Sequence, residues 1–314
     1  MKIVALNGLL GYGYSEESLD MAFSEKVDYL GVDAGSTDPG PFYLGSGKSF
    51  TARSAVKRDL SIALPKALAH KAPFIIGTAG GAMCSEPVAA ADVMQAYIYD
   101  DYFELRPANP IRKCTVERVA AHTLYEQTNP YLIFEPDGVC DLTNSEFEQA
   151  DERTVRVRGS KFREAEVKTL KLEGVKCSGF RTICPATVYD PETIARIDEI
   201  IATVTDFVRE NTHGRLPDGS YTVTFKTSGG KDSSLGIVID VVGKTQDIAD
   251  EVCALVRSRM LHCDYDGRKS TAGNLAFPFS PSDIHVGEVY EFSVFHLAEV
   301  DSLLETAKIS LEEI

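Results

Sequence analysis

Three short apolar runs, each followed by a glycine-rich loop, occupy the first part of the chain, and few folds accept that order. Ile3 to Leu6 reads as a strand covered on both faces. Gly8, Gly11 and Gly13 follow it in a loop. Ser15 can cap the next helix, Glu16 and Glu17 suit its positive end, and Leu19, Met21 and Ala22 begin its apolar face. Val27 to Val32 reads as a second buried strand that ends at Asp33, and a polar loop runs on to Lys48. Ala52 to Ala69 is helical by period, with Pro65 threatening a break. Pro73 to Gly77 is a third strand, leading into Gly77-Thr-Ala-Gly-Gly81. Strand and helix alternating in this way predict a parallel sheet with right-handed crossovers. Ligands of such sheets bind beyond the carboxyl ends of the strands. That rule puts Gly8–Gly13, Asp33–Gly40 and Gly77–Gly81 on one rim.

The later chain is patterned differently. Pro87 to Tyr99 reads as a helix, and Thr115 to Thr128 as another, with Val116, Val119, Ala120 and Leu124 in phase. Alternation predicts strands over Arg153 to Phe162 and Glu166 to Glu173. Asp190-Pro-Glu-Thr opens a helix to Asn211. Tyr221–Lys226 and Leu235–Val242 form a hairpin, Thr245 to Arg259 a helix, and Val289 to Phe295 a late strand. The fold class is therefore α/β: an N-terminal parallel sheet with flanking helices, followed by an α+β C-terminal part. The expected division is an N-terminal α/β domain with glycine-rich rim loops over 1–100 and a C-terminal α+β domain over 101–314.

Charge and cysteine usage narrow the function. The net charge is −15, with no dense Lys/Arg cluster, so the field repels nucleic acid. The seven cysteines are irregularly spaced and include no CxxC pair, which argues against a disulfide framework and a zinc ribbon. No apolar stretch approaches the roughly 20 residues that span a bilayer. A cytoplasmic protein with a small-molecule substrate and reduced thiols is expected.

Asp33-Ala-Gly-Ser-Thr-Asp-Pro-Gly40 is the leading candidate for a ligand loop. Gly35 and Gly40 permit conformations that a Cβ penalises, and Ser36 and Thr37 add hydroxyls. Consecutive backbone N–H groups can cradle an anion, while Asp33 and Asp38 can act as a base or orient a hydroxyl. An ordinary turn rich in Asx bonds is the plainer reading. Gly8-Leu-Leu-Gly-Tyr-Gly13 is not a dinucleotide fingerprint, and no nicotinamide or flavin signature occurs elsewhere. Ser228-Gly-Gly-Lys-Asp-Ser-Ser234 has the form of a pyrophosphate loop, which needs a helix after it; the residues that follow are strand-like. Gly243-Lys-Thr245 fails as a P-loop because Val238 stands where the earlier glycine belongs. His122 and Glu126 lie one helical turn apart, a spacing that suits an acid–base pair or a metal. Lys171 and Glu173 share a strand face, and Arg181 can fork a carboxylate. The other five histidines, His70, His213, His262, His285 and His296, stand outside any motif. The sequence leaves a divalent metal open.

Several segments together resemble the acyclic terpene utilization (AtuA) family. They are Tyr29–Pro41, Ala121–Glu126, Asn129-Pro-Tyr131, Val155–Phe162, Lys171-Leu-Glu-Gly174, Gly179-Phe-Arg-Thr182 and Ala272–Ile284. Members of that family are usually longer, with an extra stretch in the middle. Here Gly77–Ala82 resembles the part before that stretch and Met83–Pro87 the part after, and the two abut. The resemblance implies a role in the catabolism of small organic acids or branched acyl compounds. A hydro-lyase or isomerase would use Asp33 or Asp38 as base and His122 or Lys171 as acid. Gly35, Ser36, Thr37, Glu126, Glu173 and Arg181 would bind substrate. The alternative is a non-catalytic metabolite-binding subunit, and the sequence leaves open a homo-oligomer or a small partner subunit.

Overall fold

The computed structural model describes residues 1–33, 40–48, 51–77, 92–124, 128–230, 233–270 and 273–302. The chain falls into two compact units. The first comprises Met1–Tyr43, Gly47–Glu173 and Val294–Ile314; the second comprises Leu44–Ser46 and Gly174–Ser293.

The chain opens with β1 (Lys2–Leu9), α1 (Glu16–Ala22), β2 (Tyr29–Asp33), α2 (Pro41–Ser46), α3 (Arg53–Ala69) and β3 (Phe74–Ile76). Ser15 caps α1, its Oγ accepting from the Ser18 amide at 3.2 Å. Helix α3 runs through Pro65. The bond lost at that residue is offset by burial of Ala63 and Ala67 on its inner face. As expected, β1 pairs parallel with β2, and β2 with β3. Leu19, Ala22, Ala63 and Ala67 cover Val4, Leu6, Leu30 and Val32 on one sheet face.

Beyond β1 the sheet turns antiparallel. Its other strands are β4 (Val93–Ile98), β5 (Tyr102–Pro107), β8 (Glu146–Gln149) and β9 (Val155–Arg158), while α4 (Val116–Thr123) packs on the second face through Val119. Seven strands lie in the order β3-β2-β1-β4-β5-β9-β8. The helix expected over Pro87 to Tyr99 is corrected here: 87–91 lie outside the described residues, and Val93–Ile98 is a strand antiparallel to β1. The apolar run Val93-Met94 has no decisive period, and burial of both side chains, on opposite sheet faces, selects the strand. Residue 100 lies between the paired strands β4 and β5. Arg153 to Phe162 forms two strands rather than one. Gly159, at φ +85°, separates β9 from β10 (Lys161–Glu164). The latter joins β6 (Leu132–Glu135) and β7 (Gly138–Asp141) in a three-stranded sheet of order β10-β7-β6.

The long strand β11 (Lys168–Val188) passes into the second unit. There follow α5 (Pro191–Ala195), α6 (Ile197–Thr212), β12 (Tyr221–Gly230), β13 (Ser234–Gly243), α7 (Gln246–Leu261) and β14 (Ile284–Val300). Four strands lie in the order β12-β13-β11-β14. Taking α5 and α6 as one crossover, this is a β-α-β-β-α-β unit of ferredoxin-like order. The helix expected from Asp190 to Asn211 divides at Arg196. Cys184, Ala186 and Val188 of β11 and Ile237, Ile239 and Val241 of β13 pack against Val204, Val252 and Met260. The hairpin is confirmed, with Ser228 opposite Gly236 and Gly230 opposite Ser234. A strand, not a helix, therefore follows Ser228–Ser234, and the pyrophosphate-loop reading falls. No helix among the described residues is long and apolar enough to cross a membrane.

Burial pushes the Cys184 thiol up to about 12, with the charge of Asp283 adding to the effect, and burial also raises Cys253. Cys177, by contrast, is exposed. A disulfide-exchange reagent at neutral pH is expected to modify Cys177 within minutes and to reach Cys184 and Cys253 only on unfolding, as mass mapping would record. Because the folded thiol of Cys184 stays neutral where the unfolded one ionises near pH 8.5, its contribution to stability is complete below that pH. It declines as pH rises from there towards about 12.

Candidate functional site at the carboxyl rim

β1, β2 and β3 run parallel, so their carboxyl ends share one edge. The chain steps outward from β1 to β3 and then returns to place β4 on the other side of β1. The antiparallel β4 begins where β1 ends, with Val93 opposite Leu6. The strand order thus reverses at this edge, the position where open α/β sheets leave a crevice for ligands. A cleft of about 400 Å³ lies there, lined by Gly11, Tyr14, Arg58, Asp59, Asp92 and Arg112 among others.

Two buried carboxylates build it. Asp59, on the inner face of α3, accepts at Oδ2 from the amides of Gly11 at 2.8 Å and Gly13 at 3.2 Å. The glycine loop after β1 is thereby tied to α3. Gly11 sits at φ +100°, and a Cβ there would come within 3.0 Å of Thr51 and Val56, so the loop requires glycine. Arg58 Nη1 lies 2.8 Å from Asp59 Oδ1 and donates to the Tyr14 carbonyl at 3.1 Å. The Tyr14 hydroxyl donates to the Asp59 carbonyl. Burial, reinforced by the Asp59 charge, raises the Tyr14 phenol, which remains a neutral donor. Asp92 immediately precedes β4; its Oδ2 lies 3.2 Å from Arg112 Nε and accepts from Asn109 Nδ2 at 3.3 Å. Two guanidinium groups therefore balance two carboxylates at the cleft. The Arg58 side chain is 49% exposed, so part of its fork faces solvent.

The residues singled out from sequence lie, where described, on β2, α4 and β11. The Asp33 backbone closes β2 opposite Leu9, at the cleft's edge of the sheet. Gly35, Ser36, Thr37, Asp38 and Glu126 lie outside the described residues. His122 occupies the last turn of α4. Lys171 and Glu173 do share a strand face and pair at 2.7 Å, with Lys171 also over the Phe295 ring. Arg181 belongs to the second unit, where its Nε lies 2.9 Å from Asp240 Oδ1 and Lys226 takes the other carboxylate oxygen at 2.8 Å. Arg58, Asp59, Asp92 and Arg112 were not foreseen. One signal was available: Asp59 stands four residues before Ala63 and eight before Ala67, an acid in line with the buried helix face. No group of three or more metal-ligating side chains occurs among the described residues.

These features define an α/β protein with a rim cleft, joined to a ferredoxin-like unit. Residues 108–260, from the end of β5 to the last turn of α7, match the sequence model of the acyclic terpene utilisation family protein AtuA, and through this stretch the chain is similar to that family. No curated protein and no solved structure matches the chain.

Proposed function

We propose that the chain acts on a small carboxylate or branched acyl compound at the rim cleft, as a hydro-lyase or isomerase. The cleft at the reversal of strand order, with a half-exposed Arg58 held rigid by Asp59, carries this reading. Both reactions move a proton next to a carbonyl and need a clamp on the acid end. Arg58 serves as the clamp. Asp59 is a positioning residue, since its oxygens are committed to Gly11, Gly13 and Arg58. Asp33, whose backbone closes β2, and Asp38, outside the described residues, are the candidate bases, and Ser36 and Thr37 the candidate substrate-binding hydroxyls. His122 and Lys171 are the candidate acids. The match of residues 108–260 to the family model supports the link to terpene utilisation.

The test is solvent-deuterium exchange at the acidic carbon, followed by NMR across branched hydroxy acids and unsaturated acids. The wild-type chain is expected to exchange at least one of them. Arg58→Gln should lose about tenfold to a hundredfold in kcat/KM, chiefly through KM, as expected for a lost ground-state contact. No exchange with any compound, or full activity in both Arg58→Gln and Asp38→Ala, would remove this reading.

A second reading is a metabolite-binding subunit that works with a partner chain. Phe134 and Phe162, 70% and 54% exposed on opposite faces of the three-stranded sheet, are apolar side chains that such a partner would cover. A stoichiometric partner on native purification, with no exchange by the chain alone, would decide for it.

A further inference from the structure

The second unit contains a cavity of about 500 Å³ that no sequence motif indicated. Its walls are tied together from four sides. Thr187 at the end of β11 and Ala276 exchange backbone bonds of 2.9 and 2.8 Å. Asn274 donates from its amide to the Leu261 carbonyl at 2.9 Å, and from Nδ2 to the carbonyls of Met260 at 3.2 Å and Cys263 at 3.1 Å. That side chain closes the carboxyl end of α7 and fixes the segment after Gly273. Asp190 Oδ2 accepts from the Thr193 amide at 2.8 Å, the Thr193 hydroxyl at 2.7 Å and the Tyr265 hydroxyl at 3.2 Å. The acid therefore locks an aromatic ring into the wall.

The lining is divided chemically. Arg268, Lys269 and Ser270 follow Gly267, which sits at φ +90°. Arg268 packs over the Tyr265 ring and is anchored by a bond to the Cys263 carbonyl, while Lys269 forms no ion pair among the described residues. Asp190 and Glu192 line the cavity as acceptors, and Tyr189, Tyr265 and Leu275 supply flat apolar surface. Cations and a hydroxyl suit one anionic group, and the carboxylates disfavour a second while accepting from hydroxyls. Aromatic faces suit a ring.

We propose that this cavity binds a phosphorylated polyhydroxy compound of sugar-phosphate size, its phosphate on Arg268 and Lys269 and its hydroxyls toward Asp190 and Glu192. Calorimetric titration of the full chain with ribose 5-phosphate, ribose and inorganic phosphate tests it. Ribose 5-phosphate is expected to bind at least about tenfold more tightly than either fragment, because each fragment engages one half of the lining. Lys269→Gln, at an exposed position, should weaken it by about tenfold with an unchanged circular dichroism spectrum. Arg268→Gln should weaken it further, and Tyr265→Phe less. Equal affinity for inorganic phosphate, an unaltered affinity in Lys269→Gln, or no heat from ribose 5-phosphate at about 10 mM, a concentration that detects even weak binding, would each overturn the proposal.

Discussion

Arg112→Ala is expected to lower unfolding free energy by about 3–5 kcal/mol, the range for breaking a buried ion pair from one side. Its guanidinium Nε lies 3.2 Å from Asp92 Oδ2, and both side chains are buried. Without it, Asp92 keeps the Val93 amide at 2.8 Å and Asn109 Nδ2 at 3.3 Å, but no cation among the described residues. A carboxylate out of water with two neutral donors is poorly compensated. Urea titration would measure the loss. The double variant Arg112→Met with Asp92→Asn should recover part of the loss, because no charge is then stranded. A loss below about 1 kcal/mol in Arg112→Ala would mean that the pair is solvated like a surface bridge. The effect reaches the cleft, since Asp92 immediately precedes β4 there.

Ile239→Ala should cost the second unit about 2–5 kcal/mol. Ile239 is fully buried at the centre of β13, between Cys184 on β11 and Phe225 on β12, facing the helices. Truncation removes burial and leaves a cavity that a sheet held by two neighbours can hardly collapse. Ile239→Val should cost only about 0.5–1.5 kcal/mol. Amide exchange would locate the damage: protection should fall most in β11, β12 and β13. A loss in the alanine variant no larger than in the valine variant would show that the site relaxes and that the core is not close-packed there.

Where one signal dominated, the chain could be read directly. Ser15, Asp190 and Thr245 each stand before a helix and each accepts from the amide three residues on. The β13 run Leu235–Val242, rich in β-branched residues, lies in a hairpin as expected. Val93–Ile98 failed because a short apolar run carries no decisive period, and only β1 alongside it selects a strand. Gly159, between two charged alternating segments, divides them between two sheets.

The rim shows the same partition. The sequence by itself determined the three parallel strands, their crossovers and the edge where their loops gather, because apolar period and glycine placement are local properties. It also determined that Lys171 and Glu173 share a face. Only the tertiary structure decided that β4 returns antiparallel beside β1. Only it decided that Asp59 and Asp92 reach that edge buried, and that Arg58 and Arg112 neutralise them. Residues 11, 59, 92 and 112 are distant in sequence, and their meeting depends on strand order. Strand order follows from burying whole faces together, which no local window records.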